Sequence, residues 1–293
     1  MVGSAETVSS APRYGIDLHT HSAASDGALR PSELVAVAAA LGLEAMAVTD
    51  HDTLAGQAEA AAAAEEHGIE VIRGVEISVD SPLGKMDMLG LFIRPEAPGL
   101  AERLADLQQR RASRNDRMLA KLAALGLPID MDTVRAEAGG GQIGRPHMAA
   151  ALIRCGAARD VSDAFDRFLG PGCPAYLPKD KITAEEGAAL IREAGGLPIL
   201  AHPFSMKRSG AALLEALQIL KAQGVVGMEC RYGRYRPGQC DELTALAAET
   251  GLLPSAGSDY HADLQPVSRL GETYGHERTD RSWLDALKET AGA

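Results

Sequence analysis

The sequence has 293 residues, 46% of them hydrophobic, and a formal net charge of −11 at neutral pH. This length is enough for one large α/β domain, or for one domain with a sizeable insertion. No apolar run reaches the ~20 residues that a membrane span needs. The acidic charge disfavours long-range attraction to nucleic-acid duplexes, although a small anion can still be held locally.

The start of the chain and the cysteines bear on its location. Residues 1–13 are small and polar, with neither a basic start nor an apolar core, so they do not resemble a secretory signal. We expect a disordered tail and a cytoplasmic protein. The four cysteines form no Cys-x-x-Cys pair, which argues against a zinc ribbon or a disulfide scaffold. Reduced thiols are the simplest interpretation.

The first predicted strand ends in two histidines, His19 and His21, separated by one residue. Alternate side chains of an extended strand share a face, so both imidazoles can point at one ion. Neutral imidazole is a common ligand for divalent metals. The end of this strand is therefore a candidate metal site.

Strand and helix patterns alternate along most of the chain, which is typical of parallel βαβ units. Predicted strands begin near residues 14, 45, 69, 86, 197, 225 and 253. Predicted helices lie between them, at 30–42, 53–67, 184–194, 211–223 and 240–250, with a last helix at 283–293. Seven parallel strands with interleaved helices predict a distorted (β/α)7 barrel, one unit short of the eight-stranded form. The active site of such a barrel lies at the carboxyl ends of the strands.

Residues 97–181 interrupt this alternation with helical periodicity and almost no strand character. We interpret them as a helical cap inserted into a barrel formed by residues 14–96 and 182–293. His147 lies in this insertion and would have to reach down from the cap to any metals. The basic run at 110–114 also lies here, and its helical pattern indicates a solvated helix face.

Imidazoles and carboxylates recur where apolar runs end. The nine candidates are His19, His21, Asp26, His51, Glu76, His147, His202, Asp259 and His261. Nine such ligands are too many for one ion, so two or three metals are implied, and the lack of thiolates suits Mn²⁺, Fe²⁺, Zn²⁺ or Mg²⁺. Paired metals can clamp a phosphoryl group, and Glu76 could bridge two of them.

Serine-hydrolase, nucleotide-triphosphatase and dinucleotide motifs are absent from the sequence. Metal-assisted hydrolysis therefore remains.

Five ordered motifs resemble those of the PHP (polymerase and histidinol phosphatase) superfamily of phosphoesterases. They are Asp17-Leu18-His19-Thr20-His21-Ser22, Thr49-Asp50-His51-Asp52, Gly74-Val75-Glu76-Ile77-Ser78, Ala201-His202-Pro203 and Gly257-Ser258-Asp259-Tyr260-His261. The helical insertion with Arg145-Pro146-His147 and the Ser25-Asp26-Gly27 step are similar to the nucleoside 3′,5′-bisphosphate phosphatases, which are also described as 5′-to-3′ exoribonucleases.

The resemblance implies three metal sites. The first would be held by His19, His21, Glu76 and Asp259. A second would be shared by Glu76, His147 and His202, and a third would lie among Asp26, His51 and His261. Asp26 stands where several relatives have histidine, a departure that bears on the third site. Among these ligands we assign Glu76, Asp259 and His202 to catalysis.

The implied reaction is attack of a metal-bridging hydroxide on a phosphate monoester of a small nucleotide. Our candidates for phosphate binding are Arg145, Arg231 and Arg234, because guanidinium groups match phosphate oxygens bidentately, with Lys179 as a weaker one. An exonuclease acting on short RNA or DNA ends, a phosphatase of another monoester such as histidinol phosphate, and a non-catalytic metal-binding module are the alternatives. We expect Mn²⁺ or Fe²⁺, and no membrane or protein partner is evident.

Overall fold

The computed structural model describes residues 15–127, 129–138, 143–262, 268–273 and 277–292. The predicted tail at 1–13 lies outside these residues. None of the described helices combines the length and apolar character needed to cross a membrane.

Strands and helices alternate through most of the described chain. The strands are β1 Ile16–Thr20, β2 Ala45–Val48, β3 Glu70–Asp80, β4 Met86–Leu91, β5 Ile182–Thr183, β6 Leu197–Ala201, β7 Gly227–Tyr232 and β8 Leu253–Gly257. The helices are α1 Pro31–Ala40, α2 Gln57–His67, α3 Pro98–Ala124, α4 Met131–Ala138, α5 Arg145–Arg154, α6 Val161–Ala164, α7 Ala184–Glu193, α8 Gly210–Ala222, α9 Pro237–Thr250 and α10 Ser282–Ala291. A π-helical turn, Phe165–Leu169, follows α6, and a 3₁₀ turn, Pro203–Met206, follows β6.

One sheet runs in the order β1-β2-β3-β4-β6-β7-β8, with the short β5 paired to β3. The two ends of this sheet meet, because the Asp259 N–H donates to the His19 carbonyl (2.9 Å) and the His21 N–H to the Tyr260 carbonyl (3.0 Å). The predicted seven-stranded α/β barrel is confirmed, and β5 is an additional strand that the sequence analysis did not predict.

The prediction that all seven strands are parallel was wrong for β4. This strand pairs antiparallel with β3, placing Val79 opposite Met86, and antiparallel with β6 on its other side. The five residues between β3 and β4, 81–85, allow a hairpin, whereas a parallel crossover needs a dozen or more. The pairing of β3 with β4 reaches Val79, and pairing with β5 carries β3 on to Asp80, beyond its predicted end.

Two predicted boundaries shift because single residues adopt left-handed backbone conformations. Asp52 has a φ of 52°, and the Thr53 hydroxyl accepts the Ala55 N–H (3.2 Å), so a turn replaces the predicted start of α2. Phe92 has a φ of 62°, and β4 ends just before it.

The helices at 98–169 divide between two hydrophobic clusters. Leu100, Leu104 and Leu107, in the first half of α3, pack in the same cluster as strand residues such as Val75 and Met88. The second half of α3 packs with α4, α5 and the π-helical turn in a separate cluster that includes Met118, Leu122, Val134, Met148, Leu152 and Leu169. The division of the chain into a barrel and a cap at 97–181 stays a prediction. The separate cluster is the packing that supports it.

Candidate metal centre

Glu76, in the middle of β3, is the carboxylate around which the histidines gather, and its side chain is almost fully buried. Its Oε2 lies 3.3 Å from both His19 Nε2 and His21 Nε2, and 3.0 Å from His51 Nδ1. Its Oε1 lies 3.0 Å from His202 Nε2. Side chains from the ends of β1, β2 and β6 thus meet at one carboxylate.

The described donors form three groups, each with its ligand atoms within 4.8 Å of one another. These are His19, His21 and Glu76; His21, Asp26, His51 and His261; and Glu76, Asp87 and His202. Asp259 lies beside the first group, with Oδ1 3.2 Å from His21 Nε2 and 3.6 Å from His19 Nε2. His21 and Glu76 each belong to two groups, so the three groups form one continuous cluster.

The donor set fits divalent metal ions. Ligands about 2.1 Å from one ion lie about 3.0 to 3.4 Å apart in octahedral or tetrahedral geometry. The contacts of Glu76 Oε2 with three imidazoles fall in this range. Two buried atoms of the cluster, His21 Nδ1 and Glu76 Oε2, have no hydrogen-bond partner among the described residues. A bound cation would satisfy the lone pairs that this arrangement leaves.

The electrostatics of the cluster are those of closely packed opposite charges. Burial lowers the pKa of His21, but contacts with Asp259 and Glu76 outweigh burial and raise that pKa to about 10. Burial likewise lowers the pKa of His19, and the charges of Glu229 and Glu76 raise it well above its usual value. Burial raises the pKa of Glu76, yet the neighbouring imidazoles hold it well below its usual range. Metal binding to such imidazoles displaces protons.

Two site residues adopt strained backbone conformations. His202 has a φ of 31° and Asp259 a φ of 55°, both in the left-handed region that non-glycine residues seldom occupy. Strain of this kind persists where the surrounding structure enforces it, and it concentrates at functional sites.

Asp87 joins the cluster although the sequence analysis did not select it. Its Oδ2 lies 3.9 Å from His202 Nε2, and the residue is almost fully buried. The signal was an acid inside the apolar run of β4, between Met86 and Met88. An acid buried in a strand needs a partner, because burying an unpaired charge is costly.

His147 and Asp259 are the two predicted donors outside the three groups, and of these two Asp259 contacts the first group through His21. The position of His147 is different. It lies in the first turn of α5, where its Nδ1 accepts the Gly144 N–H (3.1 Å) and caps the helix. Burial lowers the pKa of His147, and the charge of Asp26 opposes this effect. Asp87 takes the place beside Glu76 and His202 that the resemblance gave to His147, whose role as a ligand stays a prediction.

Glu229, in β7, orients two histidines of the cluster and was also missed. Its Oε1 accepts a hydrogen bond from His19 Nδ1 (2.9 Å), which turns His19 Nε2 toward Glu76. Its Oε2 accepts the backbone N–H of His202 (2.7 Å). Carboxylates that hold a ligating histidine in this way fix its tautomer and ring orientation. The sequence signal was again an acid at a buried strand position.

We expect Glu229→Gln to weaken metal binding by about 10- to 100-fold, the usual effect of losing such an orienting contact. Both carboxylate oxygens of Glu229 accept a hydrogen bond, one from His19 Nδ1–H and one from the His202 N–H. Glutamine has a single acceptor oxygen, so its NH₂ group would face one of these two donors. Titration of chelator-treated protein with Mn²⁺ measures the affinity. Glu249→Gln on the exposed face of α9 is the matched control. Equal affinities in the two variants would show that Glu229 has no orienting role.

Two further buried acids shape the loops that carry ligands. Asp17 accepts the backbone N–H and hydroxyl of Ser258 (2.9 and 2.6 Å), which fixes the residue before Asp259. Asp50 accepts the hydroxyls of Ser22 and Ser25, both at 2.7 Å, and so holds the turn before Asp26. The first, second and last PHP-like motifs are thereby tied together through hydrogen bonds.

The donor cluster opens onto a cavity of about 520 Å³. Asp26, His51, Glu76, Asp87, His202, Asp259 and His261 line one part of its wall, and Lys85, Phe204, Tyr235, Arg234 and Gln239 contribute to the rest. The cavity therefore combines a metal-ligating wall with two cationic side chains and an aromatic pair.

The four residues predicted to bind phosphate lie in four different surroundings. Arg234 lines the cavity, with Nη2 3.5 Å from Asp259 Oδ2. Arg231 instead stacks over the Trp283 ring, 5.3 Å from its centroid. Lys179 donates to Asp52 Oδ2 (2.7 Å) and to the Ser78 hydroxyl (2.9 Å). The Arg145 guanidinium lies over the rings of Phe165 and Tyr176, 5.5 Å from each centroid. Only Arg234 of the four faces the cavity.

Comparison with known proteins gives consistent results. The PHP domain family matches residues 17–124. A 3′,5′-nucleoside bisphosphate phosphatase of Chromobacterium violaceum is 36% identical over 88% of this chain and 91% of its own length. A 5′-3′ exoribonuclease of Haemophilus influenzae is 37% identical over 84% of this chain and 89% of its own.

Solved structures agree with these sequence matches. A protein of Bifidobacterium adolescentis, named as a metal-dependent phosphoesterase, superposes with a TM-score of 0.80 at 32% identity, covering 94% of this chain and 96% of that one. An amidohydrolase from Chromobacterium violaceum, solved with bound sulfate and no metal, also has a TM-score of 0.80, at 33% identity, and covers 93% of this chain and 96% of that one. Fold, motifs and relatives together show that the chain belongs to the PHP family of phosphoesterases.

Proposed function

We propose that this phosphoesterase hydrolyses a phosphate monoester of a small nucleotide, and that a nucleoside 3′,5′-bisphosphate is its main substrate. The observation that carries the proposal is the donor cluster around Glu76, which opens onto a cavity that also holds Lys85 and Arg234. The relative named as a 3′,5′-nucleoside bisphosphate phosphatase, similar along nearly its whole length, supports the choice of substrate.

The described donors would hold two or three divalent ions, for which we propose Mn²⁺ or Fe²⁺. His19, His21, Glu76 and Asp259 would hold the first, Glu76, Asp87 and His202 the second, and His21, Asp26, His51 and His261 the third. Bound there, the ions would neutralise negative charge on a phosphate ester and lower the pKa of water. The cytoplasmic location stays a prediction from the sequence.

Other side chains of the cavity would bind and orient the substrate. Arg234 is partly exposed and can reach a phosphate with its guanidinium fork, while Lys85 offers a flexible point charge. The Tyr232 hydroxyl donates to Asp259 Oδ2 (2.6 Å), which leaves Oδ1 directed at His21. Phe204 and Tyr235 meet edge to face, with ring centroids 5.1 Å apart, and give the cavity an apolar side suited to a nucleoside.

Exonuclease activity on short 5′-phosphorylated oligonucleotides is the second candidate function. It is favoured by the relatives named as 5′-3′ exoribonucleases, which are 33 to 37% identical over 84% of this chain. The same donor cluster would serve both reactions, because each breaks a phosphate ester. The net charge of −11 favours short, single-stranded ends over long duplexes.

A hydrolysis screen with added Mn²⁺ tests the proposal, in which inorganic phosphate is measured for the monoesters and released nucleoside monophosphate for the oligonucleotide. The substrates are adenosine 3′,5′-bisphosphate, adenosine monophosphate, histidinol phosphate and a 5′-phosphorylated tetranucleotide, and chelator-treated protein is the control. We expect the highest kcat/KM with the bisphosphate. Preference for the tetranucleotide would favour the exonuclease, and preference for histidinol phosphate would contradict both nucleotide functions.

A further inference from the structure

Arg114, in α3, is a buried cation that has no acidic partner at hydrogen-bond distance in the described part of the chain. Only 7% of the residue is exposed. Its Nη2 donates to Asn115 Oδ1 (3.3 Å), and its Nε has no hydrogen-bond partner among the described residues. The interpretation of the run at 110–114 as a solvated face was therefore wrong for Arg114. Burying a charge is costly unless a counter-charge or several hydrogen bonds compensate it.

The surroundings of Arg114 are themselves cationic. Burial, together with the charges of Arg145 and Arg111, lowers the pKa of Arg114 to about 10, and the nearby Tyr176 and Asp180 only partly oppose this effect. Arg111 is already paired with the Asp52 carboxylate. The Arg145 guanidinium carbon lies 5.5 Å from the ring centroids of Phe165 and of Tyr176, and among the described residues its one hydrogen bond is to the Leu169 carbonyl (3.4 Å). Arg114 and Arg145 thus repel each other with no described carboxylate paired to either.

A cavity lies beside Arg114. The described residues of α3 and of the segment 177–180 line an open cavity of about 320 Å³. Arg110, Arg114 and Arg117 contribute three cations to its wall, and Asp106 and Asp180 contribute two carboxylates. Lys179, in the same segment, contacts Asp52, the residue after the donor His51. Arg111, which also contacts Asp52, lies three residues from Arg114, or about 4.5 Å along the helix axis at 1.5 Å per residue. The buried guanidinium is therefore close to the barrel mouth without belonging to the donor cluster.

We propose that Arg114 and Arg145 form an anion site that binds the phosphate group of the substrate that is not cleaved. A phosphate would supply the missing counter-charge to both guanidiniums, and their planar donors suit its oxygens. The choice of a substrate phosphate as the anion rests on the proposed function. A nucleoside bisphosphate brings a terminal phosphate to the site, and a 5′-phosphorylated oligonucleotide cleaved at its first backbone ester would also bring its terminal phosphate.

Calorimetric titration of chelator-treated wild-type protein tests the site without the metals. The probes are adenosine 3′,5′-bisphosphate and adenosine, and the variants are Arg114→Gln and, as the exposed control in α4, Arg135→Gln. We expect wild type and the control to bind the bisphosphate at least about tenfold more tightly than adenosine, the effect of one charged hydrogen bond. Arg114→Gln should remove this preference.

Thermal unfolding without ligand separates an anion site from a structural role. Because Arg114→Gln removes a buried charge without an ion-pair partner, its Tm should equal or exceed that of the wild type. A clearly lower Tm, or an unchanged preference for the bisphosphate, would overturn the proposal.

If the wild type binds the bisphosphate through Arg114 but releases no phosphate from any nucleotide with Mn²⁺, the anion site stands and the proposed function fails. If turnover is found and Arg114→Gln keeps the full preference, the proposed function stands and the anion site fails.

Discussion

Glu76→Gln should lower kcat/KM by more than about 10³-fold, since removing a single preorganised charge-stabilising group already costs roughly 10²- to 10³-fold. This one carboxylate lies within 3.3 Å of four imidazoles and takes part in two of the three donor groups. The amide keeps the shape of the side chain but removes the negative charge. Two metal sites should therefore weaken together.

Metal content and stability give readouts of this change that do not depend on turnover. Elemental analysis after reconstitution with Mn²⁺ should find at least two ions per wild-type chain and fewer in Glu76→Gln. Mn²⁺ should raise the Tm of the wild type by mass action, because the folded state alone presents the donors together, and should raise that of the variant less. Glu66→Gln, on the exposed face of α2, is the control. Wild-type metal content in Glu76→Gln would contradict the central place of this carboxylate.

Much of the donor cluster could be predicted because its residues follow strand ends. His19 and His21 come from the end of β1, Glu76 from β3 and His202 from the end of β6, yet a barrel brings the carboxyl ends of its parallel strands to one face. The motif order then indicated which residues share an ion. This inference needed only strand positions and the chemistry of imidazole and carboxylate.

The residues that were missed lie at interior strand positions or depend on tertiary packing. Asp87 and Glu229 are acids inside apolar runs, where the sequence alone does not show which buried partner neutralises them. The burial of Arg114 depends on how α3 packs against distant segments, and helical periodicity cannot show this. The antiparallel direction of β4 was different, because its short connection to β3 was visible in the sequence and should have excluded a parallel crossover.

Arg145→Ala should keep the metals but lower kcat/KM for a nucleoside 3′,5′-bisphosphate by roughly 10²- to 10³-fold, the usual effect of removing one preorganised charged donor. Arg145→Lys should recover only part of this loss, because an ammonium keeps the charge without the planar fork. Since Arg145 lies beside Arg114 and does not line the catalytic cavity, we expect the loss with a nucleoside monophosphate to be much smaller.

Arg145 also makes structural contacts, so the measurement must separate binding from folding. Its guanidinium stacks on Phe165 and Tyr176, and Arg145→Ala removes that packing together with the charge. Arg154→Ala, at the other end of α5, removes an exposed arginine that is ion-paired with Glu137 and serves as the control. If Arg145 only supports the packing of α5, both substrates should lose the same factor and Arg145→Ala should have a lower Tm. Selective loss with the bisphosphate at unchanged metal content is the result that a phosphate-binding role requires, because only that substrate carries a second phosphate for Arg145 to bind.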